Sequence, residues 1–381
     1  MRKRAILCGA LAAALTAVSC GNLYYRDWPP SYRHETIRVG EALPRADARS
    51  VALADAGRAG VYGAEAAVAN PAALANLRGS ALSGGGGYRY YGYDVQPDQA
   101  GLRAQSFFGS FAGTYAAAAW AASPEKFALG GALWTPYDYT YEVGGAGTEG
   151  EITGRGALRA VGPAAALNAL GISWGAAADF LWGSQKFTSS EGGYESTEGR
   201  GRGYDVRASA MKRFELAPGW RLAAAALGRK GAAMRFSDGS AYDVRFAPAA
   251  GAAVSVKAYS VNVHLDYMYT FYSAMEAGDD EVAFVIDASA RDAGWASAGG
   301  EYILDSGAVA RAGVSYRPWY ISDGTSRRVD GYYYSMGGGW PMWGRHGRFD
   351  AALGYGRRGA LDLNGYQADV IDFQASLNYF W

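Results

Sequence analysis

"VNVHLDYMYTFY", Val261 to Tyr272, alternates strictly: Val261, Val263, Leu265, Tyr267, Tyr269 and Phe271 are apolar or aromatic, while Asn262, His264, Asp266 and Thr270 stand between them. Successive side chains of a β-strand point to opposite faces, so this stretch has one greasy face and one that carries ionisable groups. The fold turns on what lies against the greasy face, a protein core or lipid.

The chain has 381 residues, with 36 Lys+Arg against 36 Asp+Glu, and zero formal net charge gives no electrostatic footprint for nucleic acid. Its 54 glycines, 28 tyrosines and 11 tryptophans point to turns and pleated surfaces. The N-terminus reads as an export signal over residues 1–19: basic Arg2-Lys3-Arg4, an apolar stretch from Ala5 to Val18, then small residues before Cys20. "AVSC", Ala17 to Cys20, resembles a lipobox in which Cys20 would be lipidated; cleavage after Ser19 is the other reading. Cys8 falls inside the signal, so the mature chain keeps Cys20 alone and forms no internal disulfide. After the signal no run of about 18 apolar residues occurs, which excludes ordinary transmembrane helices.

Residues 20–45 are polar and proline-bearing and read as a periplasmic lead-in. Residues 46–79 turn to Ala, Gly and Val and end in "VANPAALANL", where Asn70 is expected to cap and Pro71 to start a short helix over Ala72 to Leu77. From Ser80 onward the pattern predicts about fourteen strands, near 80–93, 104–121, 127–141, 155–169, 172–189, 202–215, 219–231, 242–257, 260–274, 292–304, 307–320, 330–342, 346–357 and 366–381. Short turns such as "SPEK", "APGW" and "DSG" alternate with longer polar loops near 142–154, 187–201, 275–291 and 321–329. An outer-membrane barrel shows this alternation, and an even strand count puts both termini in the periplasm.

Four features decide for lipid. The chain is exported without disulfides, and its strands of roughly 10 to 15 residues exceed the usual soluble length of about 5 to 6. Aromatics crowd strand ends, as at Tyr88, Tyr90 and Tyr91, at Tyr316, Trp319 and Tyr320, and at Trp340 and Trp343, where they suit an interfacial girdle. The last strand, "VIDFQASLNYFW", sets Ile371, Phe373, Ala375, Leu377, Tyr379 and Trp381 on one face, an aggregation hazard unless the sheet closes on its first strand. The expected architecture is all-β: a closed antiparallel transmembrane β-barrel of about fourteen strands over residues 80–381, with a small helical or irregular lumen plug over 46–79.

Two blocks carry a family resemblance. "ARSVALADAGRAGVYGAEAAVANPAALANL", Ala48 to Leu77, with Asn70, Pro71 and Ala72 as its Asn-Pro-Ala turn, is similar to the N-terminal segment of the FadL-like outer-membrane family, the long-chain fatty acid transporters and their PorV-type relatives. "GGEYILDSGAVARAGVSYRP", Gly299 to Pro318, resembles that family's late hairpin through Glu301, Tyr302, Arg311 and Gly313. The resemblance implies a fourteen-stranded barrel with a lumen plug. It also implies passive uptake of hydrophobic or amphiphilic molecules such as long-chain fatty acids, or else a PorV-type partner role in secretion or surface attachment without transport. The terminal strand resembles the signal read by the barrel assembly machinery.

With the greasy face on lipid, the lumen is expected to receive Asp205, Arg207, Arg213, Glu215, Asp243, Arg245, Lys257, Asn262, His264, Asp266, Arg311, Arg317, Arg348, Asp350, Asp372, Gln374 and Asn378. Such groups either pair across the lumen or hold a ligand head, and a guanidinium suits a carboxylate or phosphate. Arg311, Arg317, His264, Asp266 and Asn262 are the candidate ligand residues, and Asn70, Pro71 and Ala72 the candidate gate. No local motif marks a nucleophile, three histidines without clustering offer no metal site, and "SGGGGY" at 83–88 lacks the context for phosphate, so neither catalysis nor a cofactor is expected.

Overall fold

A backbone that crosses hydrocarbon must satisfy its N–H and C=O groups within the chain, and the computed structural model does so by closing a sheet. It describes residues 41–42, 47–95, 104–138, 141–143, 152–189, 195–238, 240–277, 291–318, 330–360 and 366–381. The signal, Cys20, His34 and most of the lead-in and longer loops lie outside these. The wall strands are β1 (Ser80–Val95), β2 (Ala104–Ser123), β3 (Phe127–Asp138, resumed at Tyr141–Val143), β4 (Ile152–Ala169), β5 (Ile172–Ser189), β6 (Glu195–Ala217) and β7 (Trp220–Arg229 and Ala233–Asp238). There follow β8 (Ser240–Arg245 and Ala249–Ala258), β9 (Val261–Thr270 and Glu276–Ala277), β10 (Ala293–Ile303), β11 (Val309–Tyr316), β12 (Gly331–Met342), β13 (Gly347–Ala360) and β14 (Tyr366–Phe380). Each pairs antiparallel with its sequence neighbours, and β14 closes on β1 from Tyr366↔Val95 to Phe380↔Ala81. The fourteen strands fall where the sequence pattern predicts them.

One end of the barrel holds Ser80, Trp381 and tight turns such as Leu170–Gly171, where both residues have positive φ (56° and 71°), the twist that two-residue hairpins favour. The greasy face points outward. Val263, Leu265 and Tyr267 on β9 are exposed while His264 and Asp266 between them are buried, and Leu353, Phe373 and Leu377 follow the same rule. Only an apolar solvent stabilises such a wall, so the face of "VNVHLDYMYTFY" that alternates outward meets lipid.

The alternation inverts farther along β7, β8 and β9. Lys230–Ala232, Phe246–Pro248 and Phe271–Met275 interrupt the three strands side by side, bridged by Phe246 N–H to the Ala232 carbonyl (2.8 Å) and Phe271 N–H to that of Pro248 (2.9 Å). From the breaks onward Met234, Phe236, Val244, Phe246 and Met275 are buried inside, Phe246 and Met275 within the breaks themselves, and Arg235, Asp243, Arg245 and Glu276 stand outside in two exposed ion pairs. Asp243 and Arg245 are thus not lumenal, contrary to expectation. About ten residues suffice to cross hydrocarbon, and this part of the wall lies past that length, where water on the outside favours the charges. Arg213, Glu215 and Lys257, also expected inside, are exposed near the short-turn end.

The N-terminal segment folds inside the wall. Asp47 caps helix α1 (Ala48–Ala52), accepting from the Ser50 amide at 2.8 Å. A 3₁₀ turn (Arg58–Gly60), helix α2 (Ala66–Ala69) and a second 3₁₀ turn (Pro71–Asn76) follow, nearly all buried. The last replaces the helix expected at Ala72–Leu77. Pro71 does open it, but Asn70 does not cap it: its Nδ2 donates instead to the Arg58 carbonyl at 2.9 Å, tying the two halves of the plug together. Upstream, Glu41–Ala42 pairs with Asp138 and Tyr137, on the half of β3 away from the short turns.

Because Leu265 faces lipid, Leu265→Arg is expected to destabilise the folded barrel by roughly 2–4 kcal/mol in vesicles, the range for a cation near the bilayer midplane. Denaturant titration of the refolded protein reads this, and an unchanged midpoint would place Leu265 outside the hydrocarbon.

Candidate functional site

Two glycines of the late hairpin leave the wall bare where the plug leans on it. Gly299 on β10 and Gly313 on β11 are direct cross-strand partners. A methyl group at Gly299 would stand 2.9 Å from the Leu53 side chain, and one at Gly313 would overlap the Leu53–Ala54 peptide. The next pair on the same face is Glu301 and Arg311. Glu301 accepts from Arg49 Nε (3.0 Å) and Nη2 (3.1 Å), Arg311 Nε (2.8 Å), Asn262 Nδ2 (3.1 Å) and His264 Nε2 (3.0 Å). Arg311 Nη1 also donates to Asp350 (2.6 Å), which Arg348 Nε engages at 2.7 Å.

Of the five candidate ligand residues, Asn262, His264 and Arg311 therefore converge on Glu301, beside plug residue Arg49, while Arg317 and Asp266 grip the plug directly. Arg317 Nη2 donates to Asp55 (2.7 Å) and to the Ala54 carbonyl (3.3 Å). Asp266 receives the amides of Gly57 (2.9 Å) and Arg58 (3.0 Å) and Arg58 Nη1 (3.2 Å). Charge-assisted bonds of this kind hold position more firmly than neutral ones.

His264 makes a second contact that its own strand does not reveal. Since Glu301 is committed to accepting, Nε2 of His264 donates to it, and Nδ1 lies 2.7 Å from the Ser255 hydroxyl. Ser, His and Glu in that relation form the arrangement that activates a nucleophile. Here the plug backbone at Gly60 lies over it. A methyl group there would stand 2.9 Å from Ser255 Oγ and 2.7 Å from the His264 ring, so an acyl carbonyl has no approach. The three residues brace the wall beneath the plug.

The second half of the plug rests on small residues. The Pro71–Ala72 peptide lies so close to β5 that a methyl group at Gly175 would overlap it, and the Ala72 amide donates to Ser209 Oγ at 2.9 Å. Leu74 packs into the place a side chain at Gly130 would take, 3.2 Å away. Arg207 donates to the carbonyls of Ala67 and Val68. Of the candidate gate, then, Asn70 tethers the plug to itself, while Pro71 and Ala72 touch the wall.

Beyond the plug lies an apolar lining. Trp134, Tyr137, Leu158 and Leu181 join Met234, Phe236, Val244, Phe246 and Met275 in one buried cluster, with the Tyr137 and Phe246 rings 4.4 Å apart. At its base Arg207 pairs with Asp179 (2.7 Å) and Arg229 with Asp205, and the two guanidinium groups lie 5.2 Å from the Trp134 and Tyr137 rings respectively. None of these apolar residues figured among the sequence candidates. Their signal was present: "AMRF" and "VRF", each alternating apolar with charged, stand against Gly231 and Pro248, residues that mark breaks.

No family model matches the chain, and no curated protein does. Solved structures do match. A Pseudomonas aeruginosa FadL homologue superposes with a TM-score of 0.62 at 14% identity over 89% of this chain and 99% of its own. The CymD monoaromatic hydrocarbon channel gives 0.60 at 16% identity over 89% and 98%. The Pseudomonas putida toluene transporter TodX gives 0.61 at 14% identity over 89% and 98%. The chain is thus FadL-like in fold, a closed fourteen-stranded barrel that carries its N-terminal segment inside.

Proposed function

We propose that this protein is an outer-membrane uptake channel for hydrophobic small molecules, exported by its N-terminal signal, with the short-turn end in the periplasm. The observation that carries this reading is the inverted wall of β7, β8 and β9. A barrel that turns Met234, Phe236, Val244, Phe246 and Met275 inward, where polar side chains would hold water, offers an apolar cargo a surface to leave water for. The FadL-like fold supports it, since CymD and TodX are hydrocarbon and toluene carriers by description.

The cargo is uncharged rather than a fatty acid anion. Arg207, Arg229, Arg311, Arg317 and Arg348 already face carboxylates, so a fatty acid head would have to displace Asp179, Asp205, Asp350 or Asp55 to be neutralised. What supports an aromatic cargo instead is that the lumen at this depth already accommodates rings, with Arg207 and Arg229 lying 5.2 Å from those of Trp134 and Tyr137. In this reading Arg311, Arg317, His264, Asp266 and Asn262 act on the cargo through the plug that they hold. Asn70, Pro71 and Ala72 form its moving edge, and the aromatic end of β14 serves recognition during assembly.

Vesicles containing the protein are expected to take up toluene or a similar arene faster than laurate, and Phe246→Glu is expected to lower arene uptake about tenfold or more with the folded band intact on an unboiled gel. Equal leak with and without protein would end the channel reading, and laurate outpacing the arene would reverse the cargo assignment. Gly175→Val, which drives a side chain into the Pro71–Ala72 peptide, is expected to unseat the plug and raise ion conductance across a planar bilayer; wild-type conductance would show that this contact does not hold the gate.

A further inference from the structure

The two halves of the plug are held by different forces. Residues 47–60 are pinned by ion pairs and charge-assisted bonds to Glu301, Asp266 and Arg317. Residues 61–76 make no ion pair among the described residues; they rest on alanines and glycines of β3, β4 and β5, on Ser209, and on Arg207, which donates to the Ala67 and Val68 carbonyls. This second half contains one charged side chain, Glu65. It is 3% exposed, and neither of its carboxylate oxygens has a hydrogen-bond partner on another described residue.

We propose that Glu65 is a proton-operated latch: the second half of the plug stays seated while Glu65 is a neutral acid and comes free when it ionises.

The surroundings fix the sense of the switch. Asp47 and Arg49 face Glu65 from the plug itself, Asp350 from β13 and Tyr115 from β2. Farther along helix α2, Arg207 donates to the Ala67 and Val68 carbonyls. Arg49 is paired with Glu301 and Arg348, through Nε, with Asp350, and both guanidinium groups lie over the Tyr62 ring at 5.5 and 4.7 Å. Gly63, at φ 86°, clears the space for the carboxyl group: a methyl there would stand 2.7 Å from Oε2 and 3.0 Å from the Phe380 ring.

Burial first, and the Asp47 carboxylate second, push the Glu65 pKa up from 4.5 to about 8. A carboxyl whose seated pKa is raised favours the seated state fully below its ordinary pKa. That preference falls as pH climbs through the interval and is spent above about 8. One proton limits the effect to about tenfold per pH unit. The latch needs no particular cargo, so it stands apart from the transport reading.

Ion conductance of the full chain in planar bilayers, without cargo, tests it between about pH 5 and pH 9. Wild-type opening is expected to rise with pH and level off near the top of that range. Glu65→Gln, which keeps shape and removes the charge, is expected to hold the acid-side conductance throughout. Asp47→Asn, still a competent cap, is expected to move the rise toward lower pH. A wild-type profile that is flat, or a Glu65→Gln profile that tracks the wild type in protein shown to be folded by its unboiled mobility, would overturn the latch.

Discussion

A sheet closed in a bilayer has an interior from which a charge cannot reach bulk water sideways, and every ionised side chain placed there must find its counter-charge there too. Asp179, Asp205, Asp266, Glu301, Asp350 and Asp372 each meet an arginine, and Arg49 and Arg58 come from the plug. Such pairs do little for stability compared with well-packed apolar groups, but breaking one costs about 3–5 kcal/mol because the partner is stranded. They thereby specify one seat for the plug among many of similar burial.

Most of the wall was legible because lipid enforces a two-residue period on every strand that crosses it. His264 and Asp266 could be placed inside from "VNVHLDYMYTFY" alone, and the late hairpin with Glu301 and Arg311 could be picked out by likeness. What could not be read depends on register between distant strands. That Glu301 gathers Arg49, Asn262, His264 and Arg311 follows from four separate segments meeting, and nothing near Glu301 in the chain announces it. Asp243 and Arg245 were misplaced for a different reason: alternation reports which residues share a face but not which face is inside, and the break at Phe246–Pro248 exchanges the two. Gly175, Gly299 and Gly313 look like ordinary strand glycines until the plug backbone is seen against them.

The lumen divides by chemistry along its length. Near the plug, ionic and hydroxyl groups converge; past the interruption in β7, β8 and β9, rings and thioethers line the inside. The boundary is the paired arginines Arg207 and Arg229, each with a carboxylate on one side and an aromatic face on the other. A guanidinium so placed is neutralised on one side and covered by a ring on the other, and it marks the depth at which a greasy visitor would first meet polar groups.

The position of the seat also bears on biogenesis. The plug lies at the start of the folded chain, yet the ionic grips on its first half come from β9 to β11, far later in synthesis. Contacts so distant in sequence form late in a folding reaction, after their long loops have closed. On that argument the first half of the N-terminal segment would find its fixed place only once β9 to β11 have joined the wall.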